Sequence, residues 1–255
     1  MPIIALTRAV SPAIARCELT HLERTPIDVG VARAQHEAYE RCLEAAGCVV
    51  HRLDSGADMP DSAFIEDIAV VFDEIAVITR PGAESRRIET PAVADLVARY
   101  RPVRRIAPPA TLDGGDVLRV GRTIFVGISD RTNAAGITQL RCSLRPLGYE
   151  VREIEIHGCL HLKSAMTALS DDLLLVNRAW IPTAALGSFD ALDVHPDEPF
   201  GANVVRLADR VIHATAFPRT RERIERRGIR VDSVDLSELA KAEGAVTCCS
   251  ILIPA

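Results

Sequence analysis

The chain has 255 residues, 48% of them hydrophobic and 25% charged, a composition that supports a sizeable buried core and excludes disordered, collagenous and coiled-coil chains. Thirty Lys and Arg against 35 Asp and Glu leave a net charge of −5, the wrong sign for a dedicated binder of nucleic acid or of an anionic membrane. No apolar run approaches the roughly 20 residues that cross a bilayer, and seven cysteines without paired zinc-knuckle spacing fit free thiols in a reducing cytoplasm.

In chain order, an apolar strand over Ile3 to Thr7 comes first. A helix over Val31 to Ala46 follows, its apolar face formed by Val31, Ala34, Ala38, Cys42 and Ala45, and Gly47 leads into a strand over Cys48 to Leu53. The first hairpin pairs Ile68 to Phe72 with Ile75 to Thr79 about Asp73-Glu74; a helix over Thr90 to Tyr100 succeeds it. The second pairs Val117 to Val120 with Thr123 to Val126 about Gly121-Arg122 and leads to a helix over Thr132 to Leu147. The third pairs Met166 to Leu169 with Leu173 to Val176. The fourth pairs Val204 to Leu207 with Val211 to Ala214, followed by a helix over Pro218 to Arg227, capped by Gly228, and a strand over Ile229 to Val234.

A hairpin-and-helix plan that recurs about every 40–50 residues is the signature of a repeat architecture. The helix at Val31 lacks a hairpin of its own, and the two apolar chain ends, Ile3 to Thr7 and Cys249 to Ile253, can supply one by pairing. The expected fold is therefore α/β: a five-bladed propeller of ββαβ repeats over residues 1–255, one domain closed by its terminal strands. A doubly wound α/β sandwich is the alternative.

A ring converges equivalent points of its units on one axis, and the residues just before each hairpin are polar. Before the first stands Phe64-Ile-Glu66-Asp67; before the second, Thr111-Leu-Asp113-Gly-Gly-Asp116; before the third, Leu160-His161-Leu-Lys163-Ser164; before the fourth, Gly201-Ala-Asn203; and before the closing strand, Thr247-Cys248-Cys249-Ser250. Acids, one histidine and one thiol meeting in a pocket suit a planar cation. Carboxylates grip a guanidinium through charge-assisted hydrogen bonds, a thiolate attacks its carbon, and the imidazole manages protons. Each residue alone also has a plainer structural use: Asp113 as a turn former, His161 between leucines as a core histidine, Cys248 and Cys249 as inert buried thiols. A competing use is zinc binding by His157, Cys159 and His161, alternating on one side of a strand, although Gly158 weakens that strand and no further ligand spacing lies nearby.

Taken together, Phe64-Ile-Glu-Asp67, Ile78-Thr-Arg-Pro-Gly-Ala-Glu-Ser-Arg-Arg87, Leu112-Asp-Gly-Gly-Asp116, Arg131-Thr-Asn133, Leu160-His-Leu-Lys-Ser164, Phe217-Pro-Arg-Thr-Arg-Glu222 and Thr247-Cys-Cys-Ser250 resemble, over nearly the whole chain, the dimethylarginine dimethylaminohydrolases of the guanidino-modifying, or pentein, superfamily. That resemblance implies the five-bladed propeller and hydrolysis of N-methylated arginines to citrulline and dimethylamine or methylamine through a covalent thiouronium, with no cofactor or metal. It further implies Cys248 as nucleophile and His161 as general acid and base, with Asp113 at the acidic position beside it, where some members carry Glu. Glu66 and Asp67 match the pair on the guanidinium, Asp61 the acceptor of the α-amino group with the backbone near Leu19, and Arg86 and Arg131 the clamp on the α-carboxylate. The expected partner is a small guanidino amino acid rather than nucleic acid or a membrane, and a homodimer is left open.

Rival readings are arginine deiminases, typically longer chains with an added helical segment, and hydrolysis of the neutral ureido group of citrulline, from which three carboxylates gain less. A non-catalytic propeller, like the translation factors that bind ribosomal subunits, needs no thiol and histidine pair. A papain-like protease needs a Cys-before-His order that is absent here.

Overall fold

The computed structural model describes residues 2–54, 56 and 58–254. Strand β1 (Ile4–Arg8) is followed by helix α1 (Val29–Ala45) and by β2 (Val49–Leu53), which runs parallel to β1 with Ile4 opposite Val49. Strands β3 (Ala69–Val71) and β4 (Ala76–Ile78) form an antiparallel hairpin; helix α2 (Thr90–Val97) then returns the chain to β5 (Val103–Arg105), parallel to β4. The same plan gives β6 (Val117–Val120), β7 (Thr123–Ile128), α3 (Ala134–Leu144) and β8 (Glu150–Glu155). A one-turn helix α4 (Leu162–Ala165) opens the fourth unit, β9 (Met166–Ala168), β10 (Leu173–Val176) and β11 (Asp190–Asp193), whose crossover carries only a short 3-10 turn. The fifth comprises β12 (Val204–Leu207), β13 (Arg210–Ala214), α5 (Pro218–Glu225) and β14 (Arg230–Val234); a short α6 (Ser237–Ala240) then leads to β15 (Ile251–Ile253).

Strand β15 pairs antiparallel with β1, Ile4 opposite Ile253, so the two ends of the chain build the missing hairpin of the first unit. Five three-stranded sheets result among the described residues, each an antiparallel pair with a third, parallel strand. First strands of neighbouring units touch, β15 against β3, β6 against β9 and β9 against β12, and so ring the axis. The fold is the five-bladed α/β propeller expected from the repeat.

Strand alternation explains why the ring holds. Successive side chains point to opposite faces of a sheet, and here both faces are covered. Ala5 packs with the fifth unit (Val205, Ile212) and Leu6 with the second (Ile65, Ile78). Val77 of the second unit meets Ile124 of the third; Phe125 meets Leu174 of the fourth; Leu175 meets Val211 of the fifth. Every apolar cluster is shared by two neighbours, so no unit has a core of its own.

Three local expectations are corrected. Helix α1 buries Ala32, Gln35, His36, Tyr39, Glu40 and Leu43, while Val31 on the small-residue face is 44% exposed. Polar partners decide this: Gln35 bonds Asp235 and Ser237, and Glu40 accepts from Thr7 Oγ1 and pairs with Arg52. The closing strand begins at Ile251 rather than Cys249, because Thr247–Cys249 turns as a 3-10 helix. The residues from 157 to 161 form a bend and not a strand, with Gly158 at φ +69°, so the alternation of His157, Cys159 and His161 needed for zinc does not arise.

Because clusters are shared, a cavity in one blade loosens the whole ring. Replacing the fully buried Phe125, which meets Phe189 edge-on, by Ala is expected to cost about 3–5 kcal/mol in urea unfolding. The fluorescence of Trp180 in the next unit and the far-ultraviolet circular dichroism should still unfold together; separate transitions would show that the units fold independently.

Candidate active site

Before four of the five first strands the chain makes a helical turn: Ile65–Ile68 before β3, Gly114–Asp116 before β6, α4 before β9, and Thr247–Cys249 before β15. These turns meet at the axis. Glycine permits the approach: a Cβ on Gly114 would fall 2.0 Å from the Glu66 carbonyl oxygen, and one on Gly115 would fall 2.6 Å from His161 Nδ1.

The turns place His161 among acids. Its Nε2 lies 3.2 Å from Asp113 Oδ2 and its Nδ1 3.8 Å from Asp67 Oδ1. Asp113 Oδ1 accepts from the Gly82 N–H at 2.8 Å; Asp67 accepts from the Gly115 N–H at 2.9 Å and from Arg86 Nη1 at 2.5 Å. Burial alone would drive the imidazolium to lose its proton, but Asp67, Asp116 and Asp113 together raise His161 to about 10. Burial works against the Asp67 carboxylate as well, and the imidazolium, Arg86 and the Gly115 N–H nonetheless hold its carboxyl below the usual range. Cys248, partly exposed, stands in the opposite condition: burial, then Glu66 and Asp67, push its thiol up to about 12. At neutral pH the resting pair is thiol and imidazolium.

One small cavity is lined by Cys248, His161, Asp113, Asp67, Asp61, Arg86 and Arg131, seven of the nine residues singled out from the sequence. Its free volume of about 30 Å³ holds a water or two rather than an amino acid. The chain around Glu18 to Leu22 closes it. The Glu18 N–H donates to both oxygens of Asp61 (3.1 and 3.2 Å), Thr20 Oγ1 accepts from Arg131 Nη2 (2.9 Å), and the N–H groups of Thr20, His21 and Leu22 all donate to Glu243. Burial raises Asp61 to about 6, against Arg86 and the Glu18 N–H, which lower it.

Two expected residues stand elsewhere. Glu66 does not line this cavity: it accepts from Lys163 Nζ at 2.6 Å and from Thr247 Oγ1 at 2.7 Å, and it faces a separate cavity of about 390 Å³ on the other side of the ring. Burial raises its carboxyl, and Lys163 and Thr247 pull it back. Leu19 is half-buried against the core between the first and fifth units, and its neighbour Glu18 provides the backbone contact. Arg86 lies at the cavity wall, but its guanidinium is already spent on Asp67, Glu89 and the carbonyls of Asp61 and Phe64.

Sequence reasoning placed Lys163 and Asn203 among the polar residues converging on the axis but gave them no role, and it missed Glu243. Asn203 ties the turns together, accepting from the Thr247 N–H and donating to the Lys163 carbonyl and Thr247 Oγ1. Lys163 did carry a signal, being one of two lysines in the chain; nothing marks Glu243. Among the described residues, the donors of Asp67, Asp113 and His161 lie within 4.8 Å of one another, compact enough for a metal ion. Every carboxylate oxygen of that group faces a protein donor or the imidazole, so protein cations and N–H groups already balance its charge. The Cys159 thiol donates to the His161 carbonyl and packs in the apolar cluster between the third and fourth units.

Comparison with known proteins gives three results. The family model for eukaryotic N,N-dimethylarginine dimethylhydrolases matches residues 23–188. The N(G),N(G)-dimethylarginine dimethylaminohydrolase of Streptomyces coelicolor is 44% identical over 97% of this chain and 95% of its own length, and that of Pseudomonas aeruginosa is 37% identical over 88% and 89%. A cysteine-to-serine mutant of the Pseudomonas aeruginosa enzyme, complexed with citrulline, superposes with a TM-score of 0.93 at 33% identity, covering 99% of this chain and all of that one. The N-terminal domain of ArgZ, an arginine dihydrolase from cyanobacteria, shares the fold at a TM-score of 0.89 and 18% identity, over 100% of this chain and 98% of that domain.

The closeness of Gly115 to the imidazole can be tested directly. Gly115→Ala forces His161 or Asp67 aside and is expected to cost about 1–3 kcal/mol of stability, as overpacking does. The His161 ring signals in NMR should move while those of His195 and His213 stay; unmoved His161 signals would contradict the packing described.

Proposed function

The chain belongs to the dimethylarginine dimethylaminohydrolase family, and from that premise we propose how it works. It is an amidine hydrolase that converts dimethylarginine to citrulline. The observation that carries the mechanism is the one cavity shared by the Cys248 thiol, the His161 imidazole and the carboxyl groups of Asp61, Asp67 and Asp113.

A guanidinium is resonance-stabilised and a poor electrophile. Asp67 receives it through charge-assisted hydrogen bonds and concentrates positive charge at the central carbon. The entering cation stabilises the Cys248 thiolate, and the thiol proton leaves to solvent. Sulfur then bonds to carbon, and His161, protonated at rest, gives its proton to the departing dimethylamine nitrogen as the C–N bond breaks. The product of this half is an S-alkylthiouronium on Cys248. Neutral His161 next takes a proton from water, hydroxide adds to the same carbon, and as the C–S bond breaks the hydroxyl proton of the adduct passes to sulfur, releasing citrulline and the resting thiol. Asp113 holds the imidazole and stabilises its charged form throughout. Monomethylarginine fits the same cycle, with methylamine leaving.

At the other end of the substrate, Asp61 takes the α-amino group, aided by the backbone next to Leu19, and Arg131 the α-carboxylate. The Glu18 N–H and Thr20 hydroxyl occupy those two partners in the closed site, so the segment from Glu18 to Leu22 must give way to substrate. Arg86 joins the clamp only by giving up carbonyl partners, and it balances Asp67 meanwhile. Glu66 acts from below: through Thr247 it holds the turn that carries Cys248. Residues 1–255 act as one domain, in the reducing cytoplasm, where all seven free thiols persist.

Cys248→Ser should leave binding measurable and lower turnover by about 10⁴-fold or more, as loss of a nucleophile does. Cys249→Ser serves as its control. Assays of released amine on dimethylarginine, monomethylarginine, arginine and citrulline read both variants; turnover that survives in the first and vanishes in the second would move the nucleophile to Cys249. For the clamp, Arg131→Ala should raise KM with kcat little changed, because its contact persists from ground state to transition state. Arg86→Ala should lower kcat as well, since it also strips Asp67 of its buried cation. Equal effects of the two variants on KM alone would contradict the separate part given to Arg86.

A further inference from the structure

Asp116 lies one residue beyond the glycine pair, fully buried, and neither of its oxygens faces the cavity's lining groups. Each is instead spent on a different part of the site. Oδ1 accepts from the Leu162 N–H at 3.0 Å, the peptide immediately after His161. Oδ2 accepts from Ser129 Oγ at 2.5 Å, and that same hydroxyl oxygen accepts from the N–H groups of Arg131 and Thr132, both at 3.1 Å. Thr132 Oγ1 in turn accepts from the Asp113 N–H at 3.1 Å. The relay therefore joins, through one carboxylate, the backbone that carries the imidazole, the backbone that launches Arg131 and the backbone of the imidazole's own partner.

The surroundings are fitted to this carboxylate. A Cβ on Gly127 would come 2.8 Å from Asp116 Oδ1 and 3.0 Å from the Leu162 side chain, so the neighbouring strand leaves it only the space of a hydrogen. Burial pushes its carboxyl up to about 6, while His161, Ser129 and Thr132 favour the charged form. A buried carboxylate is costly unless fully hydrogen-bonded, and this one is bonded only to groups that place other site residues.

We propose that Asp116 is a positioning residue for the hydrolysis, which through Leu162 and Ser129 keeps the proton-handling imidazole of His161 in register with the carboxylate clamp at Arg131. The inference rests on the roles given above to His161 and Arg131. It separates the two arms of the relay: the Leu162 arm governs chemistry at the guanidinium, the Ser129 arm governs binding at the far end.

Three variants test it with dimethylarginine as substrate, with folding checked by circular dichroism and thermal unfolding. Asp116→Asn keeps the shape but makes one oxygen a donor, and a displacement of the imidazole on the order of 1 Å should lower kcat about 100-fold. Ser129→Ala removes one donor from Asp116 Oδ2 but keeps the bond of Oδ1 to the Leu162 N–H, and it frees the Arg131–Thr132 backbone, so KM should rise about tenfold with kcat within about twofold. Ser129→Thr restores the hydroxyl and should restore KM, which a merely structural defect would not predict. Should Asp116→Asn fail to fold, the Ser129 pair still decides the relay. Wild-type KM in Ser129→Ala, or failure of Ser129→Thr to recover it, would overturn the proposal, as would wild-type kcat in a folded Asp116→Asn. His161→Gln is the separating control: if it retains kcat, the reading of His161 itself has failed, and if it loses kcat beside an active Asp116→Asn, the relay alone has.

Discussion

The site depends on one buried ionic arrangement, the imidazolium of His161 between Asp113 and Asp67. None of these groups is stable alone in a dry interior: isolated buried charges cost many kcal/mol, and each here is tolerated because the others are present. Arg86 on Asp67 and the N–H groups of Gly82 and Gly115 complete the balance. The arrangement leaves a protonated acid facing a neutral thiol, and it selects for a substrate that brings positive charge of its own.

The ring is what makes that arrangement affordable. Each participant comes from a different unit, Asp67 from the second, Asp113 from the third, His161 from the fourth and Cys248 from the turn before the closing strand, and they meet because the first strands ring the axis. Apolar clusters shared between neighbours fix the units relative to one another, so the turns are aimed by the whole molecule rather than by local sequence. Gly114 and Gly115 then allow backbone to touch backbone and imidazole at distances no other residue permits. Below the site, Lys163, Glu66, Thr247 and Asn203 join four units in one hydrogen-bonded layer.

The strands were legible because they are short, β-branched and flanked by turn residues, and the repeat made ring closure by the two chain ends readable, expected over Ile3 to Thr7 and Cys249 to Ile253 and formed by Ile4–Arg8 and Ile251–Ile253. The site was legible to the extent that equivalent positions in a ring must converge, which brought out Asp67, Asp113, His161 and Cys248. What escaped were tertiary decisions. The apolar pattern of Val31, Ala34 and Ala38 pointed to one face of α1, but the charged Glu40 and polar Gln35 found buried partners on another. Adjacent Glu66 and Asp67 looked like a pair, yet consecutive residues of a 3-10 turn diverge, and they serve two different cavities. Glu243 gave no signal because its carboxylate matters only through backbone N–H groups more than 200 residues away.

The central claim is that His161 is an imidazolium in the free protein at neutral pH, held so by its acids. An NMR titration of the His161 ring, with His161→Gln used to assign the signal, tests this most directly. The account predicts a ring still protonated at pH 8, titrating toward about 10. A midpoint near the ordinary value of 6.5 would contradict it, and with it the division of labour between imidazole and thiol.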